Sequence, residues 1–239
     1  MPHKKVVIVG GGISGIKAAA DLYKSGIKST VILEAQPRLG GRLFTVESTQ
    51  NKGTTYDYGA SWFHDCLNNP LFDKAQQLEN VKYYFDDGKS LYFNKFEGQI
   101  EKWRFETVLE EMMTYFQWVY KQDPDKLDIS VKQLAQEYVD KYRNVLTKEQ
   151  IELSLSAVRM WSELWHGESW DLLSGKYTFA DDGHLGRNAF VKNGYSTVFI
   201  NELKELPRAY RDSAIKLNAQ VIKIDYTNKK KILVYLKDG

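Results

Sequence analysis

Cysteine is almost absent from this sequence, since Cys66 stands alone among 239 residues. A single thiol excludes an intramolecular disulfide and any metal cluster built from several cysteines, so we predict no metal site. Charge of one sign is not in excess either, because 33 Lys and Arg residues accompany 31 Asp and Glu residues and the net charge is +2. That balance argues against binding to nucleic acid or to a membrane surface.

Long apolar runs are also missing. No run approaches the about 18 residues that span a bilayer, and the short apolar segment after Lys5 lacks the length and the cleavage site of a secretory signal. We therefore expect a cytoplasmic protein, with a peroxisomal address as the alternative that the sequence leaves open. With 43% hydrophobic and 27% charged residues, the composition is that of a globular chain with one large domain or two smaller ones.

The first 34 residues carry the pattern of a dinucleotide-binding βαβ unit. Val6–Val9 is a short β-branched run, typical of a strand covered on both faces. It leads into a G-x-G-x-x-G motif, and Ile16–Ser25 has the pattern of a helix. A second β-branched run, Thr30–Leu33, precedes Glu34, which lies 19 residues after Gly15 and so near the about 20 expected of a ribose-binding acid.

Each part of this motif has a physical role in binding a dinucleotide. The first glycine allows a tight turn, the second lets backbone amides approach a pyrophosphate, and the third allows close packing of the helix on the strand. The helix N-terminus attracts the phosphate anion, and the acid accepts hydrogen bonds from ribose hydroxyls. A plain βαβ turn without a ligand is the alternative. The predicted contacts of the dinucleotide in this region are Gly10, Gly12, Ile13, Ser14, Gly15, Glu34 and Ala35.

A second glycine pair follows, flanked by Arg38 and Arg42. The glycines, Gly40 and Gly41, allow close backbone approach, and the arginines can neutralise phosphate or flavin-carbonyl charge. A basic surface turn is the alternative. Directly after a dinucleotide unit, however, this R-x-G-G-R segment resembles the second signature of the flavin-containing amine oxidase family, which includes monoamine and polyamine oxidases. The resemblance implies FAD as the cofactor.

The segment 56–65 contains small residues beside an aromatic residue and a histidine. Small side chains permit close approach to a flat ligand, and an imidazole changes its protonation near neutral pH. The segment resembles the D-x-G-A-x-W-x-H stretch that passes beside the flavin ring in polyamine oxidases, where the histidine faces the amine. The resemblance implies cofactor contacts at Gly59, Ala60, Ser61 and Trp62 and a catalytic His64. Without it, a structural histidine in the core or on the surface is the simpler interpretation.

Helical periodicity dominates from residue 103 to residue 182, with a T-x-x-Q capping box that begins at Thr147. We expect a largely helical insertion here, which the resemblance identifies with much of a substrate domain. The next segment, 183–190, resembles the G-H-x-G-R-N segment of yeast-type polyamine (spermine) oxidases, which implies that His184 and Asn188 reach toward a bound amine. A polar loop with a capping asparagine is the alternative.

The chain is expected to return to the FAD-binding domain after residue 190, and the resemblance implies that Val221 lies in a strand near the adenine. The predicted fold is α/β, with a FAD-binding Rossmann-like (βαβ) domain and a largely helical substrate-domain insertion, truncated at the C-terminus. Residues 1–80 and 191–239 are assigned to the FAD-binding domain and residues 81–190 to the insertion. The resemblance covers somewhat under half of a family member, namely its N-terminal part.

The resemblance also implies a function. A polyamine such as spermine would be oxidised at a secondary amine with FAD as cofactor, and O2 would be converted to hydrogen peroxide while an aldehyde and an amine are released. A steroid-binding protein is the alternative, because the family includes such a member and an aromatic tunnel would suit a steroid. A non-catalytic remnant is the third reading. Acidic residues at a tunnel mouth, such as Asp86 and Asp87, would favour the polyamine, although a hairpin turn is the simpler interpretation of that segment.

Overall fold

The computed structural model describes residues 4–179, 185–228 and 230–237. The chain divides into two compact units. The first, which we call the split unit, consists of residues 1–87 and 184–239, and the second, the helical unit, consists of residues 88–183. The roles predicted for the domains, FAD binding and substrate binding, stay predictions.

Twelve strands and seven helices are present among the described residues. The strands, in chain order, are β1 (Val6–Val9), β2 (Thr30–Leu33), β3 (Thr45–Glu47), β4 (Thr55–Asp57), β5 (Trp62–Phe63), β6 (Tyr83–Phe85), β7 (Tyr92–Asn94), β8 (Gly98–Ile100), β9 (Ala189–Val191), β10 (Ile215–Lys216), β11 (Val221–Asp225) and β12 (Leu233–Leu236). The helices are α1 (Ile13–Lys24), α2 (Pro70–Ala75), α3 (Glu106–Gln122), α4 (Val131–Tyr142), α5 (Lys148–His166), α6 (Ser196–Lys204) and α7 (Arg208–Ala214).

A parallel sheet with the strand order β1-β2-β10 forms the centre of the split unit. β1 pairs with β2 in parallel, and α1 connects them. The helix packs Ile16, Ala19 and Ala20 into the core, where all three are almost fully buried. The bounds predicted for the two strands are confirmed, as is the mixed α/β character of the chain. Three parallel strands do not by themselves make a Rossmann sheet, so that arrangement stays a prediction.

The prediction that β1 is covered on both faces is wrong. All four residues of β2 are buried, but burial alternates along β1, and Val7 and Val9 are 38% and 52% exposed. The reason lies in the strand order, because β1 is at the edge of the described sheet while β2 is between two strands. Among the described residues, Val221, Val234 and Leu236 cover the second face of β2 at Val31 and Leu33, whereas β1 at the edge is packed on the face under the connecting helix, through Ile8.

Short antiparallel pairings complete the split unit. β5, β9 and β6 form one sheet, and β3–β4 and β11–β12 form two hairpins. An aromatic cluster packs beside β5, with the ring of Phe63 5.6 Å from Phe72 and 5.1 Å from Tyr195. Because β6 pairs with β9 and not with β7, the residues after Phe85 do not form the hairpin turn that the sequence suggested.

Three long helices, α3, α4 and α5, dominate the helical unit. Thr147 caps α5 in the predicted capping box with Gln150, and an equivalent box that the sequence analysis did not single out, formed by Ser130 and Gln133, caps α4. α5 ends at His166 and is followed by Gly167, which adopts the left-handed conformation of a C-cap. Within the described part of the chain, no helix has the length and apolar character needed to cross a bilayer.

Candidate functional site

The turn between β1 and α1 presents backbone groups to an open space. Gly12 is the N-cap of α1 and has extended backbone angles, and a Cβ atom built on it would meet no atom within 4 Å. Gly15 differs, since a Cβ there would lie 2.1 Å from the carbonyl oxygen of Gly10. The first N–H groups of a helix have no partner within the helix and attract anions. The turn therefore packs tightly at Gly15 and leaves the electropositive N-terminus of α1 open at Gly12, an arrangement that fits a pyrophosphate.

A second glycine turn lies directly against the first. The N–H of Gly40 donates to the carbonyl of Gly11 at 3.0 Å, and a parallel bridge joins Gly12 to Gly40. Arg38 holds this turn, because its guanidinium donates to the carbonyl of Gly41 at 2.9 Å and stacks on the ring of Phe44 at 4.3 Å. The role of Arg38 as a partner of a charged ligand group stays a prediction, and in the structure its guanidinium fixes the turn itself.

The segment of small residues that begins at Gly59 lies close to the second glycine turn, at Arg42. A Cβ on Gly59 would lie 1.8 Å from the carbonyl oxygen of Arg42, and the N–H of Ala60 donates to that oxygen at 3.2 Å. Ser61 and Trp62 follow in or next to β5, where the Trp62 ring packs edge-on against Phe190 at 5.0 Å. We use the term glycine cradle for these three contacting segments, residues 10–15, 38–42 and 59–62.

Glu34 closes the cradle on one side. The residue is 6% exposed, and its carboxylate accepts two backbone hydrogen bonds, from Gly11 N–H at 2.6 Å and from Gln36 N–H at 2.8 Å. A carboxylate offers about four acceptor sites, so two remain for the hydroxyls of a ribose. The buried acid is thus held in place by the glycine turn and still has capacity for a diol, which fits the predicted role.

Val221 lies on the side of the cradle next to this acid. The backbone of Glu34 makes two hydrogen bonds with the segment that precedes Val221. Its N–H donates to the carbonyl of Lys216 at 2.9 Å, and its carbonyl accepts from the N–H of Ala219 at 2.8 Å. Val221 packs, with Ala219, against Val31 and Leu33 of β2. The structure therefore brings the predicted adenine-side valine and Ala35, which is exposed, to one edge of the site.

The histidine loop is fixed by two asparagine side chains. The Asn188 carboxamide oxygen accepts from the N–H of Asp65 at 3.2 Å, and the Asn69 amide donates to the carbonyl of His64 at 2.7 Å. Asp65 has a left-handed φ of 54°, which is uncommon for a side chain other than glycine. Asn188 and His64 are thus brought together, with the His64 side chain exposed. His184 lies outside the described residues.

One group that the sequence analysis missed ties this region together. The carboxylate of Asp57 accepts from the N–H of Tyr195 at 3.1 and 3.0 Å, and it also accepts from the Thr45 hydroxyl. The same hydroxyl accepts from the N–H of Ser196 at 3.0 Å. The start of α6 is thereby fixed to the β3–β4 hairpin. Asp57 and Tyr195 are 138 positions apart in the chain, and Thr45 and Ser196 are 151 apart, so no local pattern signals the tie.

Cys66 is not a reactive group in this site. It is buried and free, and its thiol lies 3.6 Å from the carbonyl of Phe63. Burial raises the pKa of the Cys66 thiol, and a thiol that stays protonated is a poor nucleophile.

Replacing Glu34 with alanine is expected to weaken dinucleotide binding. Loss of a charged acceptor for ribose hydroxyls costs about 1.5–3 kcal/mol, which corresponds to roughly a tenfold to hundredfold rise in the dissociation constant of FAD. Titration of FAD fluorescence measures this change, and Glu47→Ala in the β3–β4 hairpin is the control, because that carboxylate bonds the N–H of Gly53 and lies outside the cradle. An unchanged FAD affinity in the Glu34 variant would refute its assignment to the ribose.

Comparisons with known proteins agree with this geometry. The profile of the family described as flavin containing amine oxidoreductase matches residues 13–239. The corticosteroid-binding protein of Candida albicans (strain SC5314 / ATCC MYA-2876) is 36% identical over 247 residues, which include 98% of this chain and 49% of that protein. The probable polyamine oxidase 4 of Arabidopsis thaliana is 27% identical over 252 residues, which include 98% of this chain and 47% of that protein.

A shorter similarity is found with lysine-specific histone demethylase 2 of Homo sapiens, which is 43% identical over 76 residues, or 32% of this chain and 9% of that protein. The chain thus spans about half the length of the relatives that it matches throughout.

Proposed function

Because the chain belongs to the flavin-containing amine oxidoreductase family, whose cofactor is FAD, we propose that its protein oxidises polyamines of the spermine type at a secondary amine, with O2 as the oxidant. The products would be an aldehyde, an amine and hydrogen peroxide. The observation that carries the proposal is the glycine cradle, in which a free helix N-terminus and a buried acid with spare acceptor capacity lie side by side. A dinucleotide needs both groups, one for its pyrophosphate and one for its ribose.

The residues of the cradle have separate tasks in this proposal. When bound, FAD would supply the redox chemistry by accepting a hydride from the carbon next to the amine nitrogen. The backbone around Gly12 would hold the pyrophosphate, Glu34 the ribose, and Val221 the adenine side. Arg38 and Arg42 would balance the negative charge of the cofactor. The small residues Gly59 and Ala60, which are exposed, and Ser61, which is half-buried, leave room for the flat ring.

The amine would be oriented by the histidine loop. His64 is exposed at the start of a short loop whose backbone is held by two asparagines, so the position of its backbone is fixed while its imidazole faces the surface. An imidazole can accept or share the proton of an amine near neutral pH, which keeps the reacting nitrogen neutral. Asn188 supports this loop, and the proposal extends the same task to His184.

A second candidate function is steroid binding without turnover. The specific observation in its favour is that the chain is 36% identical to a protein named for corticosteroid binding and 27% identical to a probable polyamine oxidase, over nearly the same residues. A bound steroid would require apolar walls instead of groups that manage an amine proton, and His64 would then have no task in chemistry.

Visible spectroscopy of the purified protein with added FAD separates these candidates. The proposal predicts that bound flavin loses its absorbance when spermine is added without oxygen, and that corticosterone does not cause this change. Steroid binding predicts a flavin that spermine leaves unchanged together with saturable uptake of corticosterone. A protein that binds no FAD would contradict the assignment of the glycine cradle as well as the proposed oxidation.

His64→Ala is expected to lower the turnover of spermine far more than the flavin content. Removing a group that manages a proton in the reaction costs about a hundredfold in rate, while the cradle that holds the cofactor is untouched. Hydrogen peroxide release and the flavin absorbance of the purified variant measure the two effects separately. His166→Ala is the matched control, because His166 is exposed in the last turn of α5. Equal losses of turnover and flavin would show that His64 is only structural.

The proposal also includes a cytoplasmic or peroxisomal location. It is supported by the absence of an intrachain disulfide, since the chain has one cysteine and that residue is free and buried. Cell fractionation tests it, and recovery of the protein in a secreted fraction would contradict it.

A further inference from the structure

Asp57 joins the glycine cradle to helix α6 through a charged group. It is the last residue of β4, two positions before Gly59, and both oxygens of its carboxylate accept from the N–H of Tyr195, at 3.1 and 3.0 Å. Tyr195 is the N-cap of α6, and its own side chain makes no capping hydrogen bond with the described residues. Because the N–H groups at a helix N-terminus attract negative charge, Asp57 supplies from a strand the cap that α6 lacks.

Thr45 adds further bonds to the same connection. It pairs with Asp57 across the β3–β4 hairpin, and its hydroxyl donates to the Asp57 carboxylate. The hydroxyl also accepts from the N–H of Ser196 at 3.0 Å, while the N–H of Thr45 donates to the Ser196 hydroxyl at 3.2 Å. The base of the hairpin and the first turn of α6 are thus joined by reciprocal hydrogen bonds.

Both strands of this hairpin continue directly into the cradle. β3 begins three positions after Arg42, and β4 ends two positions before Gly59. Below the hairpin the two chains stay together, because the N–H of Tyr58 donates to the carbonyl of Phe44 at 2.8 Å and the N–H of Ala60 donates to that of Arg42 at 3.2 Å. A shift of the hairpin base relative to α6 would therefore be passed on to the small-residue segment.

α6 is in turn packed against the helix that begins at the first glycine turn. Val198 of α6 is buried in the same core as Ile16 and Ala20 of α1. The N-terminus of α1 is the position proposed for the pyrophosphate, and residues 59–62 are the position proposed for the flavin ring. The Asp57 carboxylate therefore connects the two parts of the cradle that would hold opposite ends of one cofactor.

We propose that Asp57 is a positioning residue for FAD, which fixes the segment beside the flavin ring relative to the helix that holds the pyrophosphate. This inference rests on the proposed function, because it takes the ring to lie at residues 59–62. A carboxylate suits the task, since its two oxygens accept from a backbone N–H and a hydroxyl at once and charged hydrogen bonds are stronger than neutral ones. A helix cap without any part in cofactor binding is the alternative.

Parallel titrations with FAD and ADP test the proposal, because ADP has the pyrophosphate, ribose and adenine of FAD but no flavin ring. Asp57→Asn keeps the size of the side chain and removes its charge and one acceptor oxygen. We expect FAD to bind this variant at least about fivefold more weakly, since binding must then order the backbone of the ring segment, while the affinity for ADP changes less than about twofold. Isothermal titration calorimetry measures both dissociation constants.

Two further variants define the origin of the change. Thr45→Val removes the hydroxyl that bonds Asp57 and α6, and the same selective loss of FAD affinity is expected, so the test stands even if the Asp57 variant does not fold. Ser130→Ala is the control, because it removes a helix cap in the helical unit. It should lower the urea midpoint and leave the affinities for FAD and ADP unchanged.

Amide hydrogen exchange locates the effect in the chain. In Asp57→Asn, the N–H groups of Tyr58 and Ala60 should exchange faster, while those in the middle of α1 keep their protection. Equal weakening of FAD and ADP would overturn the proposal, because Asp57 would then be a helix cap only, and so would unchanged affinities for both ligands. An unaltered protein that binds ADP and shows no affinity for FAD would refute the proposed function and, with it, this inference.

Discussion

Replacing Gly15 with alanine is expected to lower the free energy of unfolding of the split unit by about 3 kcal/mol or more, at the upper end of the range for overpacked sites. The added Cβ would lie 2.1 Å from the carbonyl oxygen of Gly10 and 3.3 Å from a methyl carbon of Ile8. Neither the backbone carbonyl of Gly10 nor strand β1 can move without opening the contact between β1 and α1. Urea unfolding, followed by hydrogen exchange of peptides from residues 5–33, measures the loss where it occurs.

Gly12→Ala is the matched control for this prediction. The two glycines lie three residues apart in the same motif, but a Cβ on Gly12 meets nothing within 4 Å and its backbone angles are extended. The exchange of an N-cap glycine for alanine costs at most about 1 kcal/mol. If both variants were equally stable, the close approach at Gly15 would not be the reason for its presence in the motif.

Lys74→Met is expected to cost about 3 kcal/mol, at the lower end of the range for breaking a buried ion pair. The Lys74 ammonium lies 2.6 Å from a carboxylate oxygen of Glu202, which is only 3% exposed, and it also contacts Glu205. Glu205 retains a second partner in Lys24 at 2.6 Å, whereas Glu202 has no other ion pair among the described residues. The substitution therefore leaves one buried carboxylate uncompensated, and the lower value is chosen because Lys74 is itself 35% exposed.

Two controls define the origin of that loss. Lys17→Met breaks an ion pair with Asp21 in which both side chains are more than half exposed, so the expected cost is below about 1 kcal/mol. The double variant Lys74→Met, Glu202→Met removes both charges and should recover most of the stability. The comparison uses the urea midpoints of the variants, with the slope of the free energy of unfolding against urea concentration held the same for all of them. A double variant as unstable as the single one would show that the packing of the lysine stem, and not the buried charge, is responsible.

Local features of this protein are predictable from the sequence because their causes are local. The β-branched runs gave the bounds of β1 and β2, and the capping box at Thr147 marked the start of α5, since each depends on residues within a few positions of one another. The glycines of the first motif are predictable for the same reason. Their chemistry requires a strand, a tight turn and a helix in immediate succession.

Features that join distant parts of the chain were not predictable. The Asn188 carboxamide bonds the backbone of Asp65 across 123 positions, and the Lys74 ammonium pairs with Glu202 across 128. β6 pairs with β9 although a turn signal followed it, because strands of three residues carry too little pattern to specify a partner. The exposure of β1 likewise depends on the strand order, which the residues of β1 do not encode.

The measurement that tests the central claim most directly is the affinity of the protein for FAD with and without the Gly12→Ala substitution. The account predicts that the unaltered protein binds FAD and that the variant, although folded and nearly as stable, binds it at least about tenfold more weakly, which corresponds to about 1.4 kcal/mol. The reason is that the new methyl group would occupy the open space in front of the helix N-terminus. Equal affinities would contradict the account, because the pyrophosphate would then not lie at Gly12.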